Sequence, residues 1–555
     1  MKTNLKTVTF ACLWCLVAGS AGAQGILGGH VTGNVQIDGQ MSHADSTIGA
    51  EDVPQQLLMN ARADILYTNG DFSAGLRFEA YQDPLLGFDA RWKGQGLAHY
   101  FVAYNGERLS VAAGNFYEQF GNGLILRSYE DRYLGLDNAL LGARVVYRPV
   151  DGVVLKALAG RQRYFWSYGE GLVRGVDGEV NLNSLISSMA DSKLRVTLGA
   201  GFVSKYEATE DIAAGVTGYT LNLPLNVGAG AARTDISYGG WSLQAEYAYK
   251  GQDPSALNGY IYRPGQALML NMGYSRRGFS AGIQAKRIDN MGFKSSRSEN
   301  GEMLFINYLP ATPKQHTYAF PSMYPYVTQV GGEQGLQADV MYKIKKGTLL
   351  GGKYGTDLHV NGSVMVGLDT TTIGSRGTDG YTATPGLGQL YYGDASVEVA
   401  KKLSKSVKLT ATYLYQVFNP VVEGHENILY HNNAVVADLS WRVSEKHALR
   451  FEAQWMGSDS RYAPEEGHTD RRAGDWLMGL VEWNIGTHWF VSASDQLAYN
   501  DGSGNYYNLS VGYTRGATRL QIGYGKQREG LLCIGGVCRQ VPASNGLTFS
   551  LTTSF

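Results

Sequence analysis

The segment Gly546-Leu-Thr-Phe-Ser-Leu-Thr-Thr-Ser-Phe555 constrains the fold more than any other. Leu547, Phe549, Leu551, Thr553 and Phe555 fall on one face of an extended chain, and Thr548, Ser550, Thr552 and Ser554 on the other. A repeat of two is the period of a β-strand. A strand that ends on an aromatic ring gains little in water. In a closed transmembrane barrel it gains a partner, because the last strand must pair with the first to leave no edge, and the ring then sits at the membrane interface. The expectation is an all-β chain forming a single large transmembrane antiparallel β-barrel.

The same alternation recurs along the chain. Phe72, Ala74, Leu76, Phe78 and Ala80 alternate with Ser73, Arg77, Glu79 and Tyr81, and Leu449, Phe451, Ala453 and Trp455 with Arg450, Glu452 and Gln454. The stretches 241–250 and 407–417 repeat the pattern. Charges such as Arg450 and Glu452 cannot face lipid cheaply, so they must face a wet lumen. A soluble β-sandwich would show the same alternation with its faces reversed, so the decision rests on the two ends. At the N-terminal end, residues 1–23 read as a signal peptide: Lys2 and Lys6, an apolar core from Val8 to Ala18, and Ala21-Gly22-Ala23 for cleavage. The outer-membrane β-barrel is then assigned to residues 24–555. After residue 24 no apolar run reaches the roughly 20 residues a spanning helix needs. Gly (72) and Tyr (36) are abundant and Pro (14) is scarce, which suits many strands, tight turns and aromatic girdles.

Without Lys2 and Lys6, 46 of the 48 basic residues stand against 49 acidic ones. That balance makes no case for nucleic acid. The exported part keeps two cysteines, Cys533 and Cys538, around a glycine-containing turn. An even count in an exported chain predicts a disulfide, and no further ligands lie close enough for a metal.

Short turns are expected at Asn69-Gly70, Asn105-Gly106, Asp151-Gly152, Gly239-Gly240, Arg277-Gly278, Lys346-Gly347, Ser404-Lys405, Ser444-Glu445, Ile485-Gly486 and Arg515-Gly516, with longer links between them. That is the pattern of short periplasmic turns and long external loops. Forcing an even count gives about 22–24 strands, with 170–235 and 300–335 the least regular regions. Strand alternation starts by about residue 30, which leaves no room for a separate plug domain and argues against a TonB-dependent transporter. A lumen this wide must be narrowed, so inward-folded loops are expected.

Two segments qualify. Gly114 to Asn138, running into Leu140–Arg148, breaks the strand period at Gly121 and Gly123 and sets Arg127, Glu130, Asp131, Arg132 and Asp137 among tyrosines and leucines. Charges so dense among apolar residues predict a folded, ion-paired element, either bent into the lumen to line a constriction or an outer loop held by salt bridges. The second, Met303 to Gly335, carries Pro310, Pro313, Pro321 and Pro325 and therefore cannot be a central strand. Its Phe305, Tyr318, Phe320, Tyr324 and Tyr326 suggest an apolar surface for a protein partner at an external loop, or a lumen plug packed on its own barrel.

Other clusters are weaker. Glu423-Gly-His425-Glu426 and Glu465-Glu466-Gly-His468-Thr-Asp470 have the chemistry of a divalent-cation site but also of solvated loop tips. His43-Ala-Asp45-Ser46 matches a hydrolase trio only in composition, and Asn500–Asn505 reads as turn chemistry. The inward charges, among them Arg62, Asp64, Arg77, Glu79, Glu246, Lys250, Lys286 and Arg450, are of both signs, which predicts either weak ion selectivity or a lumen filled by internal salt bridges.

The final segment resembles the C-terminal sorting signal of bacterial outer-membrane barrels, with Phe549, Leu551 and Phe555 carrying the likeness. The stretch Gly114–Leu141 and the loop Cys533 to Ser544 resemble an uncharacterised family of Bacteroidota outer-membrane β-barrel proteins, over the whole mature length. The spacing Gly114…Gly123…Gly142 is loosely similar to porins whose third loop folds into the barrel. The resemblance implies a Gram-negative outer-membrane location, contact with lipid and lipopolysaccharide, and insertion by the barrel-assembly machinery. It brings no catalytic residue and no cofactor. The functional expectation is a porin-like, loop-restricted channel for small solutes; the alternative is a plugged barrel serving as a scaffold in a secretion or assembly complex.

Overall fold

A computed structural model describes residues 28–214, 218–462, 471–500, 504–535 and 537–555. The signal-peptide segment 1–23 lies outside the described residues. The described chain forms one antiparallel sheet of 24 strands, each paired with its neighbours in sequence. The sheet closes on itself. His30–His43 pairs with Leu58–Asn69 on one side and with Ser544–Ser554 on the other, in register from Asn34 opposite Ser554 to His43 opposite Asn545. The count lies at the upper end of the expected range. The irregular stretch 170–235 resolves into Ser167–Asn181, Leu194–Tyr206 and Asn226–Tyr238, whereas 290–331 adds no strand.

The alternation sorts by face as lipid requires. Along Phe72–Tyr81, Leu76 and Phe78 are 52% and 43% exposed on the outer wall, while Arg77 and Glu79 are 6% and 2% exposed inside. A soluble sheet would bury Leu76 and expose Arg77; this one does the reverse, which is stable only with hydrocarbon outside. Trp241, Tyr342, Trp441, Trp483 and Trp489 stand exposed near one end of the wall as an aromatic girdle.

The turns expected from sequence all fall at that same end, together with Ser554. Gly70 and Gly516 hold φ of +55° and +58°, left-handed values that a glycine adopts without strain. Two connections at this rim are longer: 182–193, which holds a helical turn at Leu182–Leu185, and 345–355, where the sequence predicts a short turn at Lys346-Gly347. The opposite rim carries the long loops.

Candidate functional site: a loop-filled lumen with a polar seam

The lumen is occupied by the segments 117–139 and 290–331. They meet inside the barrel: the Arg127 amide donates to the Ile306 carbonyl at 2.8 Å and the Tyr308 amide to the Gly123 carbonyl at 2.9 Å. Asn307 Nδ2 donates to the Leu124 and Met291 carbonyls at 3.1 and 2.9 Å. Phe120, Leu124, Ile125, Leu126, Phe293 and Ile306 are fully buried against inward-facing Val173, Val203, Ala248 and Ala267 of the wall. At about 2 kcal/mol for each large side chain, this core is worth on the order of 10 kcal/mol as an upper bound.

The charged half of the first loop locks onto the wall. Arg77 reaches Asp64 at 3.0 Å, Glu130 at 3.1 Å and Asp137 at 3.0 Å. Arg163 bridges Glu79 and Asp137, both at 2.7 Å, and Arg62 pairs with Asp64 and Glu130. Tyr117 donates its hydroxyl proton to Asp137 at 2.9 Å. Burial opposes ionisation of Asp137, but the guanidiniums of Arg163 and Arg77 outweigh it and hold the carboxyl below its usual range. Carboxylate oxygens of Glu79, Glu130 and Asp137 lie within 4.8 Å of one another, close enough for a cation. The three arginines already neutralise that space, so the cluster reads as an ion-paired lock.

Of the residues expected at a constriction, Glu130 and Asp137 sit in this lock, and Arg132 donates to Gln36 at 2.8 Å on the adjacent cavity wall. Arg127 is stacked between Tyr129 and Tyr308, at 4.5 and 4.0 Å, and joins the two loops. Asp131 departs from the expectation. Its carboxylate accepts the amides of Tyr133 and Leu134, both at 3.0 Å, so it closes a turn instead of lining a path.

Of the two readings of the aromatic loop, the structure shows the plug: Phe305, Tyr318, Phe320, Tyr324 and Tyr326 are turned inward and pack within the barrel. The Phe305 carbonyl accepts from Asn138 at 3.0 Å and from Gln162 at 2.7 Å. Phe320 is fully buried with its ring 6.1 Å from Trp476. Tyr318 reaches Asp438 at 3.4 Å, Tyr324 lies 5.5 Å from both Phe418 and Tyr430, and Tyr326 donates to Glu333 at 2.5 Å. The physical reason is solvation: five rings are cheaper inside a packed core than on a wet rim.

Cys533 and Cys538 are disulfide-bonded across the hairpin of Gly530–Ile534 and Val537–Val541. The hairpin lies on the plug. Tyr308 donates its hydroxyl proton to the Gly535 carbonyl at 2.6 Å, and Gln315 Nε2 donates to the Cys533 carbonyl at 2.7 Å.

Beside the plug remains a cavity of about 600 Å³ along the seam where first and last strands meet. Gln36, Asp38 and Gln40 line it from the first strand, and Thr548, Ser550 and Thr552 from the closing strand. On Thr518–Gln527 its lining runs from Arg519, one residue inside the short-turn rim, to Gln527, the last residue at the long-loop rim. Arg519 and Arg539 face this cavity along with Arg62 and Arg132, which both pair with Glu130; Asp38 is its acidic residue. Burial pushes the Arg539 guanidinium down, and among the described residues no carboxylate pairs with it or with Arg519. Sequence reasoning passed over Arg519, Arg539 and Arg163 because nothing local distinguishes an inward arginine from a solvated one.

Of the remaining clusters, Asp45 pairs with Lys526 at 2.7 Å and accepts from Thr47 and Asn545. Residues 465–470 and 501–503 lie outside the described residues.

A family model matches residues 1–555, and its description is a family of unknown function, DUF6029. The chain belongs to that family. No curated protein matches this DUF6029 chain. Among solved structures it is similar to the ferric enterobactin receptor of Pseudomonas aeruginosa, with 10% identity over 95% of this chain and 81% of that one and a TM-score of 0.41. It is also similar to the P pilus usher translocation pore, with 10% identity over 94% and 99% and a TM-score of 0.35. An outer-membrane transporter of Escherichia coli shows 10% identity over 95% and 80% and a TM-score of 0.39. Likeness at this level says nothing about solute or partner.

Proposed function

We propose that this protein is an outer-membrane barrel giving small hydrophilic solutes a passive, loop-restricted path along its seam. The restriction comes from the chain's own loops, without a separate plug domain and without catalytic chemistry. One observation carries the reading: on Thr518–Gln527 the seam cavity is lined by Arg519 and Gln521 toward one rim and by Gln527 at the other. Hydroxyls, amides and guanidiniums line it, so the path suits solutes that hydrogen-bond. Arginines outnumber acids there, so anions are favoured over cations.

Planar-bilayer recording of the purified protein tests this. The expected result is small stable conductance steps with a reversal potential on the anion side in a potassium chloride gradient. Replacing Arg132, Arg519 and Arg539 by Gln should bring the anion-to-cation permeability ratio down several-fold toward unity. A silent bilayer would reject the path. The packed lumen core then favours the second reading, a plugged barrel acting as a structural subunit of a secretion or assembly complex, and stoichiometric co-purifying proteins are its signature.

A further inference from the structure

The short-turn rim is not uniform. The turns at Asn69-Gly70 and Tyr238-Gly239-Gly240 carry no cation, whereas the connection 345–355 carries Lys345, Lys346 and Lys353. The next turn adds Lys402 and Lys405, and the neighbouring turns on either side add Arg276-Arg277 and Arg442 with Lys446. Against these stand Asp357, which already pairs with Lys343 at 2.9 Å, and Glu445. Within this basic patch Leu349 is 96% exposed and Leu350 66%.

The direction of the 345–355 connection decides what covers it. In the sheet Val397 pairs with Val360 and Tyr413, all three exposed on the outer wall. Lys401 lies four residues along the same strand and so shares that outward face, as does its partner Thr356. Both reach the Leu350 carbonyl: Lys401 Nζ donates at 3.2 Å and the Thr356 hydroxyl at 2.7 Å. The connection is therefore folded back against the outer, lipid-facing wall, and it does not arch over the lumen. Its two leucines are exposed beside this apolar wall, with Lys345, Lys346 and Lys353 on either side of them in the chain. Leu403, 53% exposed on the adjacent turn, continues the patch.

We infer that this rim segment is an anchoring site for anionic phospholipids of the leaflet at the short-turn end. Leu349 and Leu350 enter among the acyl chains, and Lys345, Lys346 and Lys353 hold the headgroup phosphates. Apolar continuity with the wall favours a lipid over a soluble acidic protein, which would have no use for side chains pointed at hydrocarbon. The inference is independent of whether solutes cross the seam, since its readout is bound lipid.

Native mass spectrometry of the full-length detergent-purified protein, titrated with phosphatidylglycerol or phosphatidylcholine, tests it. Wild type should retain phosphatidylglycerol about tenfold more tightly. Lys345→Gln/Lys346→Gln/Lys353→Gln should bring the two lipids within twofold of each other. Leu349→Ser/Leu350→Ser should weaken both alike while the charge preference survives. All five side chains are exposed, so an unchanged circular dichroism spectrum is expected for both variants. Equal retention of both lipids by wild type, or an undiminished preference in the lysine variant, would overturn the inference. So would polyglutamate binding to wild type but not to the lysine variant in the absence of lipid preference, which would point to an acidic protein instead.

Discussion

At the scale of single residues, the lock around Arg163 is the most exposed to mutation. Glu79 and Asp137 are both nearly sealed from solvent and both bind Arg163 at 2.7 Å, with Arg77 farther off at 3.5 and 3.0 Å. Arg163→Met leaves two buried carboxylates short of charge, a loss of about 3–5 kcal/mol. Adding Glu79→Gln removes one of the stranded charges, so the double variant should be more stable than Arg163→Met alone. Thermal unfolding in detergent, followed by β-sheet circular dichroism, gives the ranking; a double variant no better than the single would contradict the pairing. Asp137 adds a pH signature. Its folded-state carboxyl is held below the ordinary value of 3.8, so its contribution is complete above that value and is lost as pH falls through the lower, folded one. Wild type should therefore lose more stability than Asp137→Asn on acidification below about pH 4, measured as the difference between the two melting curves.

At the scale of elements, the disulfide hairpin illustrates how one segment holds another. Closing so short a loop restricts the unfolded chain by about 2 kcal/mol. Its contacts to Tyr308 and Gln315 pass that restraint to the plug. Cys533→Ser/Cys538→Ser should keep the barrel intact but expose Arg528 and Arg539 to trypsin, read as faster cleavage within the hairpin at an unchanged circular dichroism spectrum. Cleavage no faster than wild type would mean the plug contacts hold the hairpin by themselves. The strands and short turns were legible in the sequence because their signals are local: alternation at period two, and Gly or Asn where the chain reverses. The pairing of Cys533 with Cys538 was legible for the same reason. What 303–335 does was not, because its partners Gln162, Asp394, Asp438 and Gln454 are remote in sequence. The same five rings satisfy an external surface or an internal core until those partners are known. The seam cavity was hidden too, since its walls come from both ends of the chain.

For the whole molecule, everything depends on closure. Phe555 exchanges backbone hydrogen bonds with Gly33 at 2.9 and 3.0 Å, and its ring occupies the space a side chain at position 33 would need. Phe549 covers Gly39 in the same way. Deleting Phe555 removes two ladder bonds, about 1 kcal/mol each, and uncovers a glycine at the seam. Assembled protein in the outer-membrane fraction should fall severalfold against wild type on a heat-modifiability gel; normal levels would remove Phe555 from the closing step. The first and last strands are also the farthest apart in sequence, so their zipper carries the largest loop-closure cost in the sheet. Gln36, Asp38, Thr548, Ser550 and Thr552 flank that zipper, and they acquire a sheltered, watery side only once it shuts. A half-built molecule is thus a trough with its polar bank turned toward oil. On the proposed function, maturation and permeability become one event: the last stitch that makes the wall also makes the door.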